Sequence, residues 1–456
     1  MPDSTLARAA QTSTALLTDR YELTMVQAAL RSGAAHRRCV FEMFARTLPA
    51  GRRYGVVAGT GRLLADLASF RFTSADLAWL RDEGVVDAET IDWLSAYRFG
   101  GSVWGYAEGE CYVPGSPILV VEGTFAEAVL LETLVLSVLN HDSAVAAAAS
   151  RMTSAAGNRG CFEMGSRRTH EEAAVAAARA AAVAGFASTS NLEAGRRYGL
   201  PTVGTAAHAF TLLHDDERAA FTAQVASLGA PTTLLVDTYD VEEAVRTAVS
   251  VAGPSLGAVR LDSGDLLVQA RQVRAQLDSL GAGGTKIVVT GDLDEYAVAA
   301  LAAGPVDSYG VGTSLVTGSG APTAGLVYKL VARENAAGEM EGVAKTSAGK
   351  VGVAGRKWAR RRVADGVATA EVLSTSEVAT SEVATAEVAT AEVASSSDRP
   401  LLVPLVEAGQ IDPSWTGPAA VQRARERHRS SLAELPASAR RLSRGEACIP
   451  TEIEEP

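Results

Sequence analysis

Apolar runs alternate with helical patterns between Thr232 and Val316, and this alternation predicts the fold of the chain. The runs TTLLVD, GAVRLD, TKIVVTGD and VDSYGVGT are rich in β-branched residues, and each ends in Asp or Thr. Segments with apolar residues at helical spacing lie between them: Val241–Val251, Leu266–Leu280 and Leu293–Ala303. Strands that alternate with helices in this way indicate βαβ units and a parallel sheet.

The same alternation begins at Cys161, and a series of about seven strand ends follows. They lie near Glu163, Ala187, Val203, Val236, Leu261, Thr290 and Gly310. This number is barrel-like, and a doubly wound sheet is the competing topology. In both architectures, ligands bind at the carboxyl ends of the strands. We therefore expect one site to contain the residues that follow these ends: Asp237, Asp262, Asp265, Asp292, Gly312 and Thr313.

The segments before this region have a different character. Residues 1–15 are mostly small and polar, which predicts a disordered tail. Leu16–Gly33 predicts a helix that begins at Thr or Asp and ends at its glycine, and Cys39–Ala45 alternates like a strand. Phe125–Ala149 predicts one long apolar helix or a pair of helices with a break at Asn140-His141-Asp142.

Composition restricts the class of protein. The 456 residues are 47% hydrophobic and 21% charged, which is typical of a globular protein with a large core. The net charge is −11, and no basic block is interleaved with aromatics, so we expect no nucleic-acid partner. We find no apolar run of signal-peptide or membrane-spanning length, which predicts a cytoplasmic protein without membrane contact. The 4 cysteines lack any CxxC motif, which favours inert thiols over a zinc site.

A repetitive segment follows near the C-terminus. Between Glu371 and Asp398, Glu recurs at 371 and 377 and then every five residues to 392. A period of five matches neither a helical face nor a strand face. We predict a solvated, low-complexity loop over 367–398 that activity does not need, and an interaction tail is the alternative.

Two strand ends have glycines and carboxylates in patterns that suit a phosphorylated ligand. Gly310–Ser314 (GVGTS) would let backbone N–H groups approach a phosphate, although a plain tight turn has the same pattern. Leu261–Asp265 (LDSGD) could hold ribose hydroxyls or magnesium, and a helix cap at Asp265 is the alternative. Arg260 precedes this group and could contact an anionic substrate.

Arginine and histidine at other strand ends extend the predicted site. Arg167 and Arg168 suggest a phosphate or diphosphate partner, with ion pairing to the carboxylates as the alternative. His208 is the one histidine at a predicted strand end, and Asp237 at the next strand end could orient it as a nucleophile. On residues alone, a structural histidine is the preferred interpretation.

A series of ordered motifs runs from about Leu16 to about Lys357: LLTDRYELTM, FEMGSRR, STSN, YGLPTVGTAAHAF, VDTYD, VRLDSGD, VTGDLDE, YGVGTSLV and GRK. Together they closely resemble nicotinate phosphoribosyltransferases. The resemblance implies a type II phosphoribosyltransferase fold, an irregular (β/α) barrel with a second α+β domain. In this chain it implies an N-terminal domain at 16–135, the barrel at 136–335, and a C-terminal segment at 336–456 that returns to the second domain.

The resemblance also implies a reaction. Nicotinate and phosphoribosyl pyrophosphate would give nicotinate mononucleotide and pyrophosphate, driven by ATP hydrolysis to ADP and phosphate, which is the chemistry of an ATP-dependent ligase in NAD salvage. ATP is the implied co-substrate and magnesium the implied metal. The implied assembly is a homodimer with a shared active site.

Individual residues take roles from the same resemblance. His208 becomes the phosphohistidine with Asp237 as its partner, which reverses the preference from the residues alone. Asp262 and Asp292 would act on ribose and diphosphate and hold magnesium, directly or through water. Tyr21 would stack on the pyridine ring of the neighbouring subunit's substrate. The substrate-binding set is Tyr21, Arg167, Ser190, Thr233, Arg260, Gly291, Gly312 and Thr313.

Two positions bear on the base that is used. The related nicotinamide enzymes have Asp where this chain has Ser190, and an Asp there would repel the nicotinate carboxylate. Met164 stands where those enzymes have an aromatic residue, so we expect ring stacking from one side. A quinolinate phosphoribosyltransferase is the nearest rival and would need a more cationic pocket. A non-catalytic barrel that binds phosphoribosyl compounds is the second rival, and the intact His208 and Asp237 argue against it.

Overall fold

The computed structural model describes residues 13–345, 353–375 and 397–454. The chain forms two compact units. The first combines Met1–Ala144 with Thr323–Pro456, and the second is Val145–Pro322.

The N-terminal part of the first unit mixes helices and strands. Its strands are β1 (Arg38–Ala45), β2 (Gly55–Val56), β3 (Ser102–Tyr106), β4 (Cys111–Tyr112) and β5 (Leu119–Thr124). Its helices are α1 (Arg20–Ser32), α2 (Thr60–Ala68), α3 (Ser74–Asp82), α4 (Ala88–Ser95), α5 (Phe125–Val129) and the start of α6 (Glu132–Ala156). The predicted first helix is confirmed as α1, which ends at Gly33 with a left-handed φ of 75°.

The second unit is built on a parallel sheet. Its strands are β6 (Gly160–Glu163), β7 (Ser188–Thr189), β8 (Thr233–Leu235), β9 (Ala258–Leu261), β10 (Lys286–Val289) and β11 (Ser308–Val311). Its helices are α7 (Glu171–Val183), α8 (Leu192–Tyr198), α9 (His208–Leu212), α10 (Glu217–Leu228), α11 (Val241–Ala252), α12 (Leu266–Ser279), α13 (Glu295–Leu301) and α14 (Thr313–Val316). The strand order is β7-β6-β11-β10-β9-β8, with every pair parallel. These strands confirm the predicted βα alternation.

The C-terminal part returns to the first unit. It contributes β12 (Leu326–Glu334), β13 (Met340–Gly342), β14 (Trp358–Ala364), β15 (Val367–Ser374), β16 (Ser397–Pro400), β17 (Leu402–Glu407), β18 (Gln410–Ile411), α15 (Gly417–Glu434) and β19 (Thr451–Ile453). A seven-stranded sheet has the order β13-β12-β1-β5-β3-β17-β18, so N-terminal and C-terminal strands alternate in it. This confirms a second α+β domain built from both ends of the chain.

Of the two alternatives predicted for Phe125–Ala149, the long helix α6 confirms the helix without a break at Asn140-His141-Asp142. It runs unbroken through Asn140, because that side chain bonds the backbone of Leu326 (N to Oδ1, 2.8 Å) and not its own helix. Phe125–Ala156 is also long and apolar enough to cross a membrane by length and composition, contrary to expectation. In the structure 67% of its most apolar window is buried. A helix that is apolar all round is either a membrane span or a core helix, and this burial is that of a core helix.

The cysteines are free thiols. Cys39, Cys111 and Cys161 are buried, and Cys448 is partly buried. Burial raises the pKa of each thiol, which favours the protonated form. Their burial agrees with the predicted inert thiols, and their lack of reactivity stays a prediction.

Glu371 contradicts the surface loop predicted over 367–398. Residues VATAEVLS form β15 between β14 and β19, and the Glu371 side chain is fully buried. Its Oε1 accepts a hydrogen bond from Arg361 Nη2 at 2.6 Å, and Tyr106 Oη donates to its Oε2 at 3.1 Å. A buried cation therefore explains a carboxylate inside a strand. Residues 376–396 of the repeat lie outside the described part of the chain.

Arg361 is the centre of a buried polar network in the first unit. Its Nη1 donates to Glu110 Oε1 at 2.8 Å and to Ser431 Oγ at 3.0 Å. Arg399 donates to both oxygens of Glu110, at 3.0 and 3.1 Å, and to Glu434 at 2.7 Å. Burial alone would raise the pKa of Glu110, but Arg399 and Arg361 together lower it to about 2. Glu110 is therefore a buried anion held between two arginines.

We expect Glu110→Gln to destabilise the protein by about 3 kcal/mol or more, because it removes a buried anion that Arg361 and Arg399 share and leaves each with one hydrogen-bonded carboxylate partner. Denaturant unfolding measures the change. The matched control is Glu452→Gln, which removes an exposed partner of Arg362 and should cost less than about 1 kcal/mol. Equal losses of unfolding free energy in the two variants would show that the buried network stabilises the protein no more than an exposed ion pair does.

Candidate active site

The carboxyl ends of the parallel strands bring most predicted site residues to one edge of the second unit. In sheet order, the residues after the strands are Ser190 (β7), Arg167 (β6), Gly312 and Thr313 (β11), Gly291 and Asp292 (β10), Asp262 (β9) and Asp237 (β8). His208 follows a segment that joins this sheet through a single parallel bridge between Thr202 and Thr189. The prediction that these strand ends share one edge is confirmed.

The two sides of this parallel sheet approach each other. His208 follows the segment at one side of the sheet, and its Nε2 is 3.9 Å from Asp237 Oδ1 at the other side. Its Nδ1 lies 3.1 Å from Thr238 Oγ1. Arg260 on β9 donates to Thr205 Oγ1 at 2.7 Å, across the same gap. The sheet therefore curls, and polar side chains close the opening that its backbone ladder leaves.

Asp237 connects three of these segments. Its side chain is 2% exposed, and its Oδ2 accepts hydrogen bonds from Asp262 N at 2.9 Å and Ser263 Oγ at 2.7 Å. Its Oδ1 is buried without a hydrogen-bond partner within the described residues. A buried carboxylate oxygen left in this way costs free energy. The predicted pairing with His208 is thus present as two facing groups at 3.9 Å, longer than a hydrogen bond.

Arginines make part of this edge positive. Burial lowers the pKa of Arg260, and repulsion from Arg167 lowers it further, against the attraction of Asp262 and Asp237. Arg260 Nη2 is 3.9 Å from Asp262 Oδ1. Arg167 and Arg168 are exposed in the short 3-10 helix Ser166–Arg168 and make no ion pair in the described part of the chain. Guanidinium groups near enough to repel each other would be stabilised by an anionic ligand.

Position 291 accommodates only glycine without strain. Its φ is 104°, and a Cβ added there would lie 2.3 Å from the carbonyl oxygen of Asp262. Asp262 is fixed on its other side, because Thr290 Oγ1 donates to its Oδ1. The next residue, Asp292, has a left-handed φ of 45° and an exposed side chain. The close approach of the two turns therefore places both carboxylates at the edge of the sheet.

Glycines also allow the turns after β6 and β11 to pack together. A Cβ on Gly165 would lie 2.2 Å from Val316 Cγ1, and one on Gly310 would lie 2.7 Å from Met164 Sδ. Gly312 then precedes the short helix α14. The arginine turn and the GVGTS turn are consequently adjacent, as an anion site made from both would require.

Comparisons with known proteins agree with this geometry. A model of the nicotinate phosphoribosyltransferase (NAPRTase) N-terminal domain matches residues 16–140. Nicotinate phosphoribosyltransferase pncB1 of Mycobacterium tuberculosis is 56% identical over 447 residues, which cover 96% of this chain and 94% of that protein. The Bacillus subtilis nicotinate phosphoribosyltransferase is 38% identical over 356 residues, which cover 76% and 72%.

The chain belongs to the nicotinate phosphoribosyltransferase family.

A solved structure of this family supports the fold. The crystal structure of human nicotinic acid phosphoribosyltransferase matches with a TM-score of 0.79 and 27% identity, covering 96% of this chain and 97% of that chain. The irregular α/β barrel with a second α+β domain, predicted from the motifs, is confirmed.

Glu163 is a residue of this nicotinate phosphoribosyltransferase fold that the sequence did not single out. Its fully buried carboxylate accepts hydrogen bonds from Gly165 N and Thr189 Oγ1, and its backbone oxygen accepts one from Ser190 N at 2.8 Å. It therefore fixes the arginine turn and Ser190 together. The available signal was an acidic residue at the end of an otherwise apolar strand, just before Gly165.

Three other predicted residues, Thr233, Asp265 and Tyr21, lie outside the group of side chains at this edge or have another role. Thr233 begins β8 and is in register with Ala258, so it lies at the amino end of the sheet, away from the other predicted residues. Asp265 caps α12 by accepting Val268 N at 3.2 Å, which confirms the capping alternative. Tyr21 lies in the first unit and is 45% exposed. Its assignment to the pyridine ring stays a prediction.

We expect Gly291→Ala to destabilise the protein by more than about 1 kcal/mol, since both the positive φ and the Asp262 carbonyl oppose a Cβ. Thermal or denaturant unfolding measures this. The control, Gly284→Ala, adds a Cβ with no atom within 4 Å in the same unit and should leave stability unchanged or slightly higher. A neutral Gly291→Ala would mean that the two turns are not held as described.

Proposed function

We propose that the protein is an enzyme that joins nicotinate to phosphoribosyl pyrophosphate, with release of nicotinate mononucleotide and pyrophosphate. The observation that carries the proposal is the one strand-end edge on which arginines, carboxylates and glycine turns lie together. Arginines and backbone N–H groups suit phosphates, and carboxylates suit ribose hydroxyls. The names of the Mycobacterium tuberculosis and Bacillus subtilis relatives support this choice of substrates.

The proposed reaction is a substitution at the anomeric carbon of the ribose. The bond from this carbon to the diphosphate oxygen breaks, and a bond to the pyridine nitrogen forms. The carbon becomes positively charged in between, and the Asp262 and Asp292 carboxylates would stabilise that charge. Arg167 and the Gly312-Thr313 turn would stabilise the negative charge that develops on the departing diphosphate.

Magnesium is the metal in this proposal. Within the described residues, no group of three or more His, Cys, Asp or Glu side chains could hold a metal. Mg2+ is usually bound by one or two carboxylates together with substrate phosphates and waters, and Asp262 and Asp292 fit that role. When bound, it would neutralise charge on the diphosphate.

His208 is the proposed acceptor of a phosphoryl group from ATP. The side chain is 39% exposed, and its Nδ1 can accept the hydroxyl hydrogen of Thr238 while Nε2–H faces the unpaired oxygen of Asp237. In this tautomer the electron pair lies on Nδ1, and it becomes free for attack when the Thr238 hydroxyl turns away. It would attack the terminal phosphorus of ATP, a phosphorus–oxygen bond would break, and ADP would leave. Water would later release the group as phosphate, and its negative charge beside the diphosphate would couple ATP use to substrate affinity.

Ser190 supports nicotinate over nicotinamide as the base. Its backbone N–H is bonded to Glu163 O at 2.8 Å, and no described group bonds its hydroxyl. The hydroxyl can therefore donate to a substrate carboxylate. An Asp at this position would repel the same carboxylate.

A homodimer in the cytoplasm completes the proposal. Leu192, Leu212 and Leu213 are 76%, 62% and 78% exposed in the segments around His208. Leu212 and Leu213 are adjacent in the chain, and exposed leucines of this kind fit a dimer interface. Free thiols agree with a reducing compartment.

Mononucleotide formation tests the proposal directly. Purified protein is incubated with phosphoribosyl pyrophosphate and magnesium and with nicotinate, nicotinamide or quinolinate, each with and without ATP. We expect turnover with nicotinate, at least 10-fold above that with nicotinamide, and stimulation by ATP. Faster use of quinolinate would support the quinolinate enzyme, and folded protein without turnover on any base would indicate a binding protein.

His208→Ala separates ATP coupling from transfer. We expect this variant to retain ATP-independent transfer, to lose stimulation by ATP, and to take up no label from γ-labelled ATP. His36→Ala changes an exposed histidine of the other unit and is the control that keeps both properties. Labelling of His208→Ala at the wild-type level would exclude the phosphohistidine.

A further inference from the structure

Ser319 has a backbone conformation that favours glycine. Its φ is 53°, between two glycines that also have positive φ, Gly318 and Gly320. Since glycine adopts this conformation without steric cost, a serine here is explained best by what its side chain does. Its hydroxyl donates to Glu295 Oε2, and its N–H donates to Ser314 O at 2.6 Å.

Glu295 divides its two oxygens between partners on different elements. Its side chain is 2% exposed, and its Oε1 accepts a hydrogen bond from Arg151 Nε on α6 at 3.0 Å. Arg151 Nη2 also donates to Tyr296 Oη at 3.3 Å, which fixes the guanidinium next to the start of α13. A buried carboxylate needs this cation, because burial without a partner would be costly.

The chain position of Glu295 connects two turns of the site. It begins α13, shortly after the Gly291-Asp292 turn, and it reaches the segment that follows α14 through Ser319. That segment folds back on α14, because Gly318 N bonds Leu315 O at 3.0 Å and Ser319 N bonds Ser314 O at 2.6 Å. The carboxylate therefore holds the far end of the loop that begins at Gly312.

We infer that Glu295 and Ser319 are positioning residues that hold the Gly312-Thr313 turn for the phosphate groups of phosphoribosyl pyrophosphate. Neither touches the reacting atoms. Their bond closes the loop from 312 to 319 and ties it to the Gly291-Asp292 turn, so the two turns keep a fixed separation. The identity of the substrate rests on the proposed function. The restraint of the loop by Glu295 and Ser319 rests on the hydrogen bonds alone.

The experiment compares Ser319→Ala, Ser319→Gly and Glu295→Gln with wild type in two measurements. The first is amide hydrogen exchange of peptides covering 312–320, where we expect at least 10-fold faster exchange in all three variants. The second is steady-state kinetics, where we expect a 5- to 10-fold higher KM for phosphoribosyl pyrophosphate, with kcat and the KM for nicotinate changed less than twofold. Ser279→Ala, which removes an exposed hydroxyl bonded only within α12, is the control that changes neither.

Ser319→Gly separates the hydroxyl from the backbone. It removes the hydrogen bond but suits the positive φ, so Ser319→Gly with wild-type exchange and KM would overturn the inference. Wild-type exchange in Ser319→Ala would overturn it as well. Faster exchange with an unchanged KM for phosphoribosyl pyrophosphate would refute the positioning role. A wild-type protein without transferase activity would refute the proposed function instead. The exchange data would still test whether Glu295 and Ser319 restrain the loop.

Discussion

The closure of an incomplete barrel by the Asp237 carboxylate is the constraint on which the site depends. Six parallel strands and one bridge do not complete a cylinder, which in the full (β/α) barrel takes eight strands. The gap is crossed by side chains: Asp237 faces His208, and Arg260 bonds Thr205. Asp237 also bonds the backbone of Asp262. One buried side chain thus fixes the position of the neighbouring acidic turn and faces the segment across the gap.

The electrostatics of the edge follow from this closure. Curling brings Arg260 near Arg167, and the repulsion between them adds to the burial that already lowers the pKa of Arg260. Glycines at 165, 291 and 310 allow the turns to approach more closely than any Cβ would permit. Positive charge and backbone N–H groups are therefore gathered before any ligand arrives. An anion that binds there relieves a repulsion that the fold itself creates, which is a general route to a preorganised site.

Alternation of strands and helices predicted the edge because it is a local property. Each strand end carries its own residues, and parallel pairing then brings them together whatever the strand order. The sequence did not show at which end of a strand a residue lies. Thr233 is the first residue of β8, and only its pairing with Ala258 shows this. Glu371 was assigned to a loop because the repeat beside it obscured the strand VATAEVLS, and its partner Arg361 lies on another strand. Glu163 escaped notice because its bonds to Thr189 and Ser190 are made across strands, where the sequence does not show them.

The charged side chains of the Arg361 network and those of the strand-end edge differ in how they are paired, and this difference supports the proposed ligand site at the edge. In the first unit, Arg361 is fully buried, and Glu110 and Glu371 satisfy it within the protein. A charge that is already paired gains little from a ligand, so this network can only stabilise the fold or specify it. In the second unit, Arg167 is exposed without an ion pair in the described residues, and one oxygen of buried Asp237 has no hydrogen-bond partner there. An anionic ligand would supply the partner that Arg167 lacks, whereas the Asp237 oxygen needs a hydrogen-bond donor such as His208 Nε2–H. These unsatisfied charges support the proposed ligand site at this edge.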